Sequence, residues 1–184
     1  MFVLISYSIL ILLELIFAIS LCIYTLSLFW SSIMGSPYVP TKKKELINFL
    51  KEARIKKGQI FLELGCGDGR VVKTAVKEYA AKGIGIDINP TLIFWAKFIA
   101  KLTKVSGIEF KVQNIFKTDV SKADFIYLFL MPKLLEKLKT KFEEESKKNA
   151  VIISHGFKIL GWEKYNYKTI VNKPFPTYYY KLRS

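Results

Sequence analysis

The chain holds two cysteines and one histidine, and no lysine or arginine precedes position 42. Cys22 lies in a long apolar run and Cys66 in a glycine loop, so no disulfide is expected and a reducing compartment fits. No metal is expected either. The first 35 residues lack the basic start of a cleaved leader, and their apolar run is too long for one. Two nucleotide-binding strings are also missing. No G-x-x-x-x-G-K-[ST] occurs, which excludes a phosphate loop. From Gly65, Arg70 stands where G-x-G-x-x-G needs its third glycine, which excludes the dinucleotide fingerprint.

What is present at that place is a different glycine loop. Gln59-Ile60-Phe61-Leu62-Glu63-Leu64 is short, apolar and followed at once by glycine, the pattern of a buried parallel strand. Gly65, Gly67 and Gly69 alternate with Cys66 and Asp68. Val71, Val72, Ala75, Val76 and Tyr79 then follow at helical spacing over 70–80. Gly83-Ile84-Gly85-Ile86-Asp87 closes a second apolar run 18 residues after Gly69. A strand ending in an acid, a glycine loop, a helix and a second acid make a nucleotide cradle. The plain alternative is a glycine turn with Asp87 capping the helix that begins near Pro90.

The string Glu63-Leu64-Gly65-Cys66-Gly67-Asp68-Gly69 resembles motif I of the class I S-adenosylmethionine-dependent methyltransferases. The resemblance implies S-adenosylmethionine as cofactor. It implies that Gly65, Cys66, Gly67 and Gly69 pass beneath that molecule and that Glu63 holds its ammonium group, directly or through water. Asp87 would accept both ribose hydroxyls, since a carboxylate offers two acceptor oxygens. Ile88 would lie against the adenine, and Asn114 would meet its amino group. An Asn also suits a turn, so Asn114 has a second reading.

The remaining pattern alternates strands with helices. A helix is expected over 90–104, with Pro90 in its first turn, and a strand over 108–112. A buried strand over 123–130 is expected to stop at Met131-Pro132, before a helix over 134–146 and a fifth strand over 150–154. Segments 163–171 and 177–182 read as a closing hairpin, an expectation taken mostly from the resemblance. The fold class is therefore α/β: a Rossmann-like, seven-stranded, mostly parallel sheet with a C-terminal β-hairpin, preceded by one transmembrane helix.

Three parts are expected: an anchor at 1–35, a linker and leading helix at 36–57, and the methyltransferase domain at 58–184. About 20 apolar residues cross a bilayer as a helix. Tyr24, Phe29 and Trp30 stand toward the end of the run, where aromatic belts occur. Lys42, Lys43 and Lys44 follow closely, so the positive-inside rule gives a single-pass protein of the cell membrane with its catalytic part in the cytoplasm. Glu14 is costly at bilayer depth; it meets a polar group of a membrane partner, is protonated, or lies near an interface. After position 41, 29 basic residues face 14 acids, a net charge of +15, and 26 of the 29 are lysine. Such a surface suits anionic headgroups. With no tight arginine cluster or RNA-binding module, nucleic acid is not the expected partner. AT-rich codon usage would give the same lysine excess.

Pro37-Tyr38-Val39-Pro40-Thr41, placed between an apolar segment and this core, is similar to the membrane-anchored protein-lysine methyltransferases of the ATP synthase c-subunit and adenine nucleotide translocase type and their prokaryotic relatives. On that likeness Tyr38 and Thr41 close over the cofactor, and the acceptor is lysine on a protein in or near the membrane. A Pro-rich linker with Thr41 capping the next helix explains the same string. The absence of Asn-Pro-Pro-Tyr argues against aromatic-ring or amide methylation. Tyr127, Met131 and Pro132 are the expected substrate-facing residues. His155 is a base or a structural imidazole. A lipid or small-molecule methyltransferase and a non-catalytic nucleotide-fold module are the other function classes.

Overall fold

The glycine-punctuated strands assemble into one seven-stranded sheet. The computed structural model describes residues 2–33, 41, 43–171 and 174–182. The strands are β1 (Ile60–Leu64), β2 (Lys82–Asp87), β3 (Ile108–Val112), β4 (Phe125–Leu128), β5 (Val151–His155), β6 (Asn166–Ile170) and β7 (Thr177–Lys181). Their order is β3-β2-β1-β4-β5-β7-β6. The pairs from β3 through β5 are parallel, and β7 runs antiparallel to both β5 and β6. The expected fold class is therefore present, including the reversed strand.

Helices cover both faces. Helices α2 (Lys43–Ala53), α3 (Arg70–Tyr79) and α4 (Pro90–Leu102) share a core with Phe61, Phe125, Tyr127 and Ile153. On the other face α5 (Pro132–Glu145) packs Leu135, Leu138 and Phe142 with Leu62, Leu64, Ile126 and Trp162. Adjacent residues of β1 thus enter opposite cores, which is why that strand is apolar at nearly every position.

Local chemistry moves several element ends. Pro132 does not merely stop β4; it is the first residue of α5, where a missing N–H costs nothing and its fixed φ suits the helix. β4 is shorter than 123–130: Asp124 is a bend that leads out of the preceding turn, and Phe129 and Leu130 lie beyond the strand's end. Asp124 still bonds both neighbouring strands, its amide donating to the Ile60 carbonyl and its carbonyl accepting from the Val151 amide, and its side chain also accepts from the Ile60 amide at 2.8 Å. In the closing hairpin, Glu163–Tyr165 forms a 3-10 turn, so β6 starts only at Asn166. The cap of α4 is Asn89, which accepts from the Thr91 and Leu92 amides, and not Asp87.

The chain divides into two compact units, Met1–Tyr38, which contains helix α1 (Phe2–Ile33), and Val39–Ser184, which contains the sheet. The Val3–Ser27 stretch of α1, 25 residues, is long and apolar enough to cross a membrane.

Candidate functional site

The site grows from the point where the sheet changes direction, between β1 and β4. In open α/β sheets ligands bind outside the carboxyl ends of the strands at such a point. Leu64 pairs with Ile86, so the loop after β1 emerges beside Asp87 at the end of β2. The Gly65 and Cys66 amides both donate to the Ile86 carbonyl, at 2.8 and 2.9 Å. The Gly67 amide donates to Asp87 Oδ2 at 2.8 Å, and the Asn89 amide to Asp87 Oδ1 at 2.9 Å. One carboxylate thereby fixes the loop and the start of α4.

The glycines are demanded by geometry at two places. Gly69 has φ +69°, and a Cβ there would lie 2.4 Å from Phe110 Cε1. Gly65 has φ +76°, and its Cβ would meet Leu130 at 2.9 Å. Positive φ together with that crowding leaves room only for glycine.

Glu63 is buried and accepts from the Val72 amide at 2.8 Å, which satisfies an orphan donor in the first turn of α3. The resemblance implies an ammonium ligand's role for Glu63; the structure shows this capping role. Burial, with the charges of Asp68 and Asp87, pushes Glu63 well above the usual carboxylate range against the pull of the Val72 amide. Burial also raises Asp87, opposed by the amides of Asn89, Gly67 and Ile88. Asp68 differs: burial opposes its charge, but bonds to Arg70 outweigh this and hold it low. Among the described residues neither Glu63 nor Asp87 is in an ion pair. Two desolvated carboxylates beside a bare glycine loop fit a cationic ligand that carries hydroxyls. Burial raises the Cys66 thiol well above its ordinary value, so it remains protonated and unreactive.

A second cluster stands at the ends of β4 and β5. Glu63, Tyr127 and Ile153 are neighbours across three strands, so Tyr127 adjoins the acid of the first cluster. Its hydroxyl is buried and has no hydrogen-bond partner of normal geometry among the described residues. Burial and the nearby Glu63 raise its pKa strongly. Tyr127 stacks on Phe49 at 5.1 Å. His155 sits 5.4 Å from Phe49, 4.7 Å from Phe129 and 5.9 Å from Phe175. Its Nδ1 shares a 2.8 Å hydrogen bond with Thr177 Oγ1, while Nε2 has no hydrogen bond among the described residues and lies 3.9 Å from Glu45 Oε2. Burial lowers His155 to about 4, so at neutral pH the imidazole is uncharged and that contact is not an ion pair.

The other expected residues scatter around these clusters. Ile88 is exposed beside Asp87. Asn114 Oδ1 accepts from the Phe116 amide at 2.9 Å and caps a 3-10 turn, its turn-forming reading. Met131 and Pro132 are exposed at the start of α5. Thr41 is buried, and its carbonyl accepts from Arg70 Nη1 at 3.2 Å, near the head of α3. Tyr38 lies outside the described residues. Sequence reasoning missed Glu45 and Phe49 on α2, and Phe129, Phe175 and Thr177. Only an acid on an otherwise apolar-faced helix marked Glu45, and nothing local tied it to a residue 110 positions away.

Comparison with known proteins fits this geometry. The model of the ANTKMT methyltransferase domain matches residues 63–166. A protein-lysine N-methyltransferase of Saccharolobus islandicus is 38% identical over 128 residues, covering 68% of this chain and 80% of that one. The human ATP synthase c-subunit lysine N-methyltransferase is 28% identical over 127 residues, covering 68% of this chain but only 54% of the human protein. Among solved structures, an RNA methyltransferase of Salinibacter ruber in complex with S-adenosyl-L-homocysteine superposes with a TM-score of 0.76 at 29% identity, over 79% of this chain and 95% of that one. The names of these relatives record different methyl acceptors. The chain belongs to the ANTKMT methyltransferase domain family and is an S-adenosylmethionine-dependent methyltransferase.

Proposed function

We propose that this enzyme methylates the side-chain amine of lysine on a protein held in or beside a membrane, to which α1 anchors the enzyme. The observation that carries the reading is the aromatic cluster with Glu45 beside the glycine loop. The bound cofactor supplies a methyl group on a sulfonium. Glu63 faces its ammonium group and Asp87 its ribose hydroxyls, with Gly65, Cys66, Gly67 and Gly69 as the backbone beneath. Ile88 and Asn114 border the adenine, and Thr41, near the head of α3, closes over the site.

The acceptor amine must be neutral and in line with the methyl. His155, at about 4, is too weak a base to take its proton. Glu45 instead attracts the incoming ammonium, and the walls of Phe49, Tyr127, Phe129 and Phe175 strip its water. Desolvation lowers an amine's pKa against the pull of Glu45, and the proton leaves to solvent as the amine enters, before the walls enclose it and transfer begins. The same rings favour the methylated ammonium through their faces. Positioning then supplies much of the acceleration. Met131 and Pro132, exposed where α5 begins after β4, are the residues that would meet the substrate's backbone. The archaeal and human relatives, named for lysine methylation, support the acceptor class.

The deciding experiment incubates membranes and full-length enzyme with labelled S-adenosylmethionine. Label that survives lipid extraction and maps to a lysine supports the proposal. Label confined to the lipid phase makes the enzyme a lipid methyltransferase. An absence of cofactor binding by calorimetry makes the chain a non-catalytic module. For topology, protease added to intact cells should spare the catalytic unit, as the lysines after the apolar run require; digestion there reverses the orientation.

A further inference from the structure

Helix α4 is apolar on both sides, and the sheet covers only one. Leu92, Ile93, Ala96 and Ala100 are buried where the helix packs on β2 and β3. The opposite side carries Phe94 at 71% exposure, Trp95 at 48%, Phe98 at 43% and Leu102 at 62%. Positions 94, 95, 98 and 102 recur at helical spacing and make one continuous stripe. The rings of Trp95 and Phe98 touch, with centroids 5.6 Å apart. Lys97 and Lys101 are exposed along one edge of that stripe, and α4 contains no acid. A helix that is hydrophobic all round belongs in a core or against lipid.

We infer that the outer face of α4 docks into the headgroup boundary of an anionic bilayer, with Phe94, Trp95, Phe98 and Leu102 inserted and Lys97 and Lys101 at the phosphates. Three observations select lipid. Tryptophan, phenylalanine and leucine beside lysine are the chemistry of an interfacial helix. The excess of basic residues after position 41 complements an anionic surface. A second copy of this chain is disfavoured, because a self-complementary contact across the stripe would bring Lys97 and Lys101 of both copies together. The inference goes beyond the anchor: it gives the catalytic unit its own contact with the bilayer, and therefore a set orientation.

The chain's three tryptophans make the test direct. Full-length protein carrying Trp30→Phe keeps Trp95 and the core residue Trp162. It is reconstituted into vesicles of phosphatidylcholine and phosphatidylglycerol with or without brominated acyl chains, whose bromines quench tryptophan only on close contact. Roughly half of the emission should be lost, since only Trp95 can enter the interface. Adding Phe94→Asp and Phe98→Asp, both exposed, should abolish that loss while the circular dichroism and cofactor affinity stay unchanged. Protein that floats with the vesicles yet shows no bromine quenching overturns the docking and leaves the anchor intact. Failure to float overturns both. Quenching that is equal in pure phosphatidylcholine overturns the role of Lys97 and Lys101. Loss of quenching accompanied by Trp95-dependent dimers assigns the face to a second copy instead.

Discussion

The two halves of the site are built in opposite ways. The β1–β2 half is a polar cradle in which backbone amides and carboxylates satisfy one another: Gly67 and Asn89 on Asp87, Val72 on Glu63. The β4–β5 half is aromatic, and among the described residues it leaves two buried polar atoms without a hydrogen bond of normal geometry: Tyr127 Oη, which the Thr41 side chain still approaches, and His155 Nε2. The first holds its shape by itself, as a site must that binds one invariant molecule. The second keeps unspent hydrogen-bonding capacity, which suits a group that arrives and leaves. Buried polar atoms are rarely left without partners, so this cluster fits a polar group arriving from outside.

If that contrast is right, damage to the cradle removes cofactor binding, and damage to the aromatic half alters the acceptor or the pH response. The largest effect falls on the cradle. Gly69→Ala forces a Cβ toward Phe110 in a left-handed conformation and should cost about 2–4 kcal/mol of stability, with loss of cofactor binding. Thermal melting and calorimetry check both. Normal binding by this variant would remove the loop from the site.

His155 gives the next effect, on pH. Its pKa falls from 6.5 to about 4 on folding, so the unfolded chain holds the proton more readily. Stability is therefore intact above about 6.5 and declines as pH falls toward 4, by up to about 3 kcal/mol in total. His155→Gln should flatten that limb in denaturant titrations at a series of pH values. An unchanged limb would mean that His155 titrates normally.

Asp87→Ala should weaken cofactor binding by about 1–3 kcal/mol, through lost charge-assisted hydrogen bonds and a freed Gly67 amide. Unchanged affinity would exclude Asp87. The smallest effect sharpens the division most. Glu45→Gln should lower kcat/KM for the acceptor about tenfold, equivalent to about 1.4 kcal/mol, with cofactor affinity unmoved. A fall in cofactor affinity instead would merge the two halves.

The halves also differ in how far the sequence reveals them. The cradle lies within 59–89, where the strand, glycines and acid keep fixed spacing, so Glu63, Gly65, Gly67, Gly69 and Asp87 are found by reading along the chain. The aromatic half draws on α2, β4, β5 and the β6–β7 turn. Tyr127 and His155 stand out as strand-end residues, but Glu45 and Phe49 reach them only through packing. Asn114 shows the limit at close range: its type suits a ligand contact and a turn equally, and the 3-10 cap is visible only in space.

The sequence by itself determined the alternation of strand and helix, the glycine loop and the apolar first helix, because each depends on residues a few positions apart. The tertiary structure decided what stands opposite what. The strand order puts Tyr127 next to Glu63, and the reversed β7 brings Thr177 to His155. Packing of α4 against one side of the sheet leaves its other apolar side uncovered. Periodicity identifies an apolar face; only the assembled fold shows whether anything in the chain covers it.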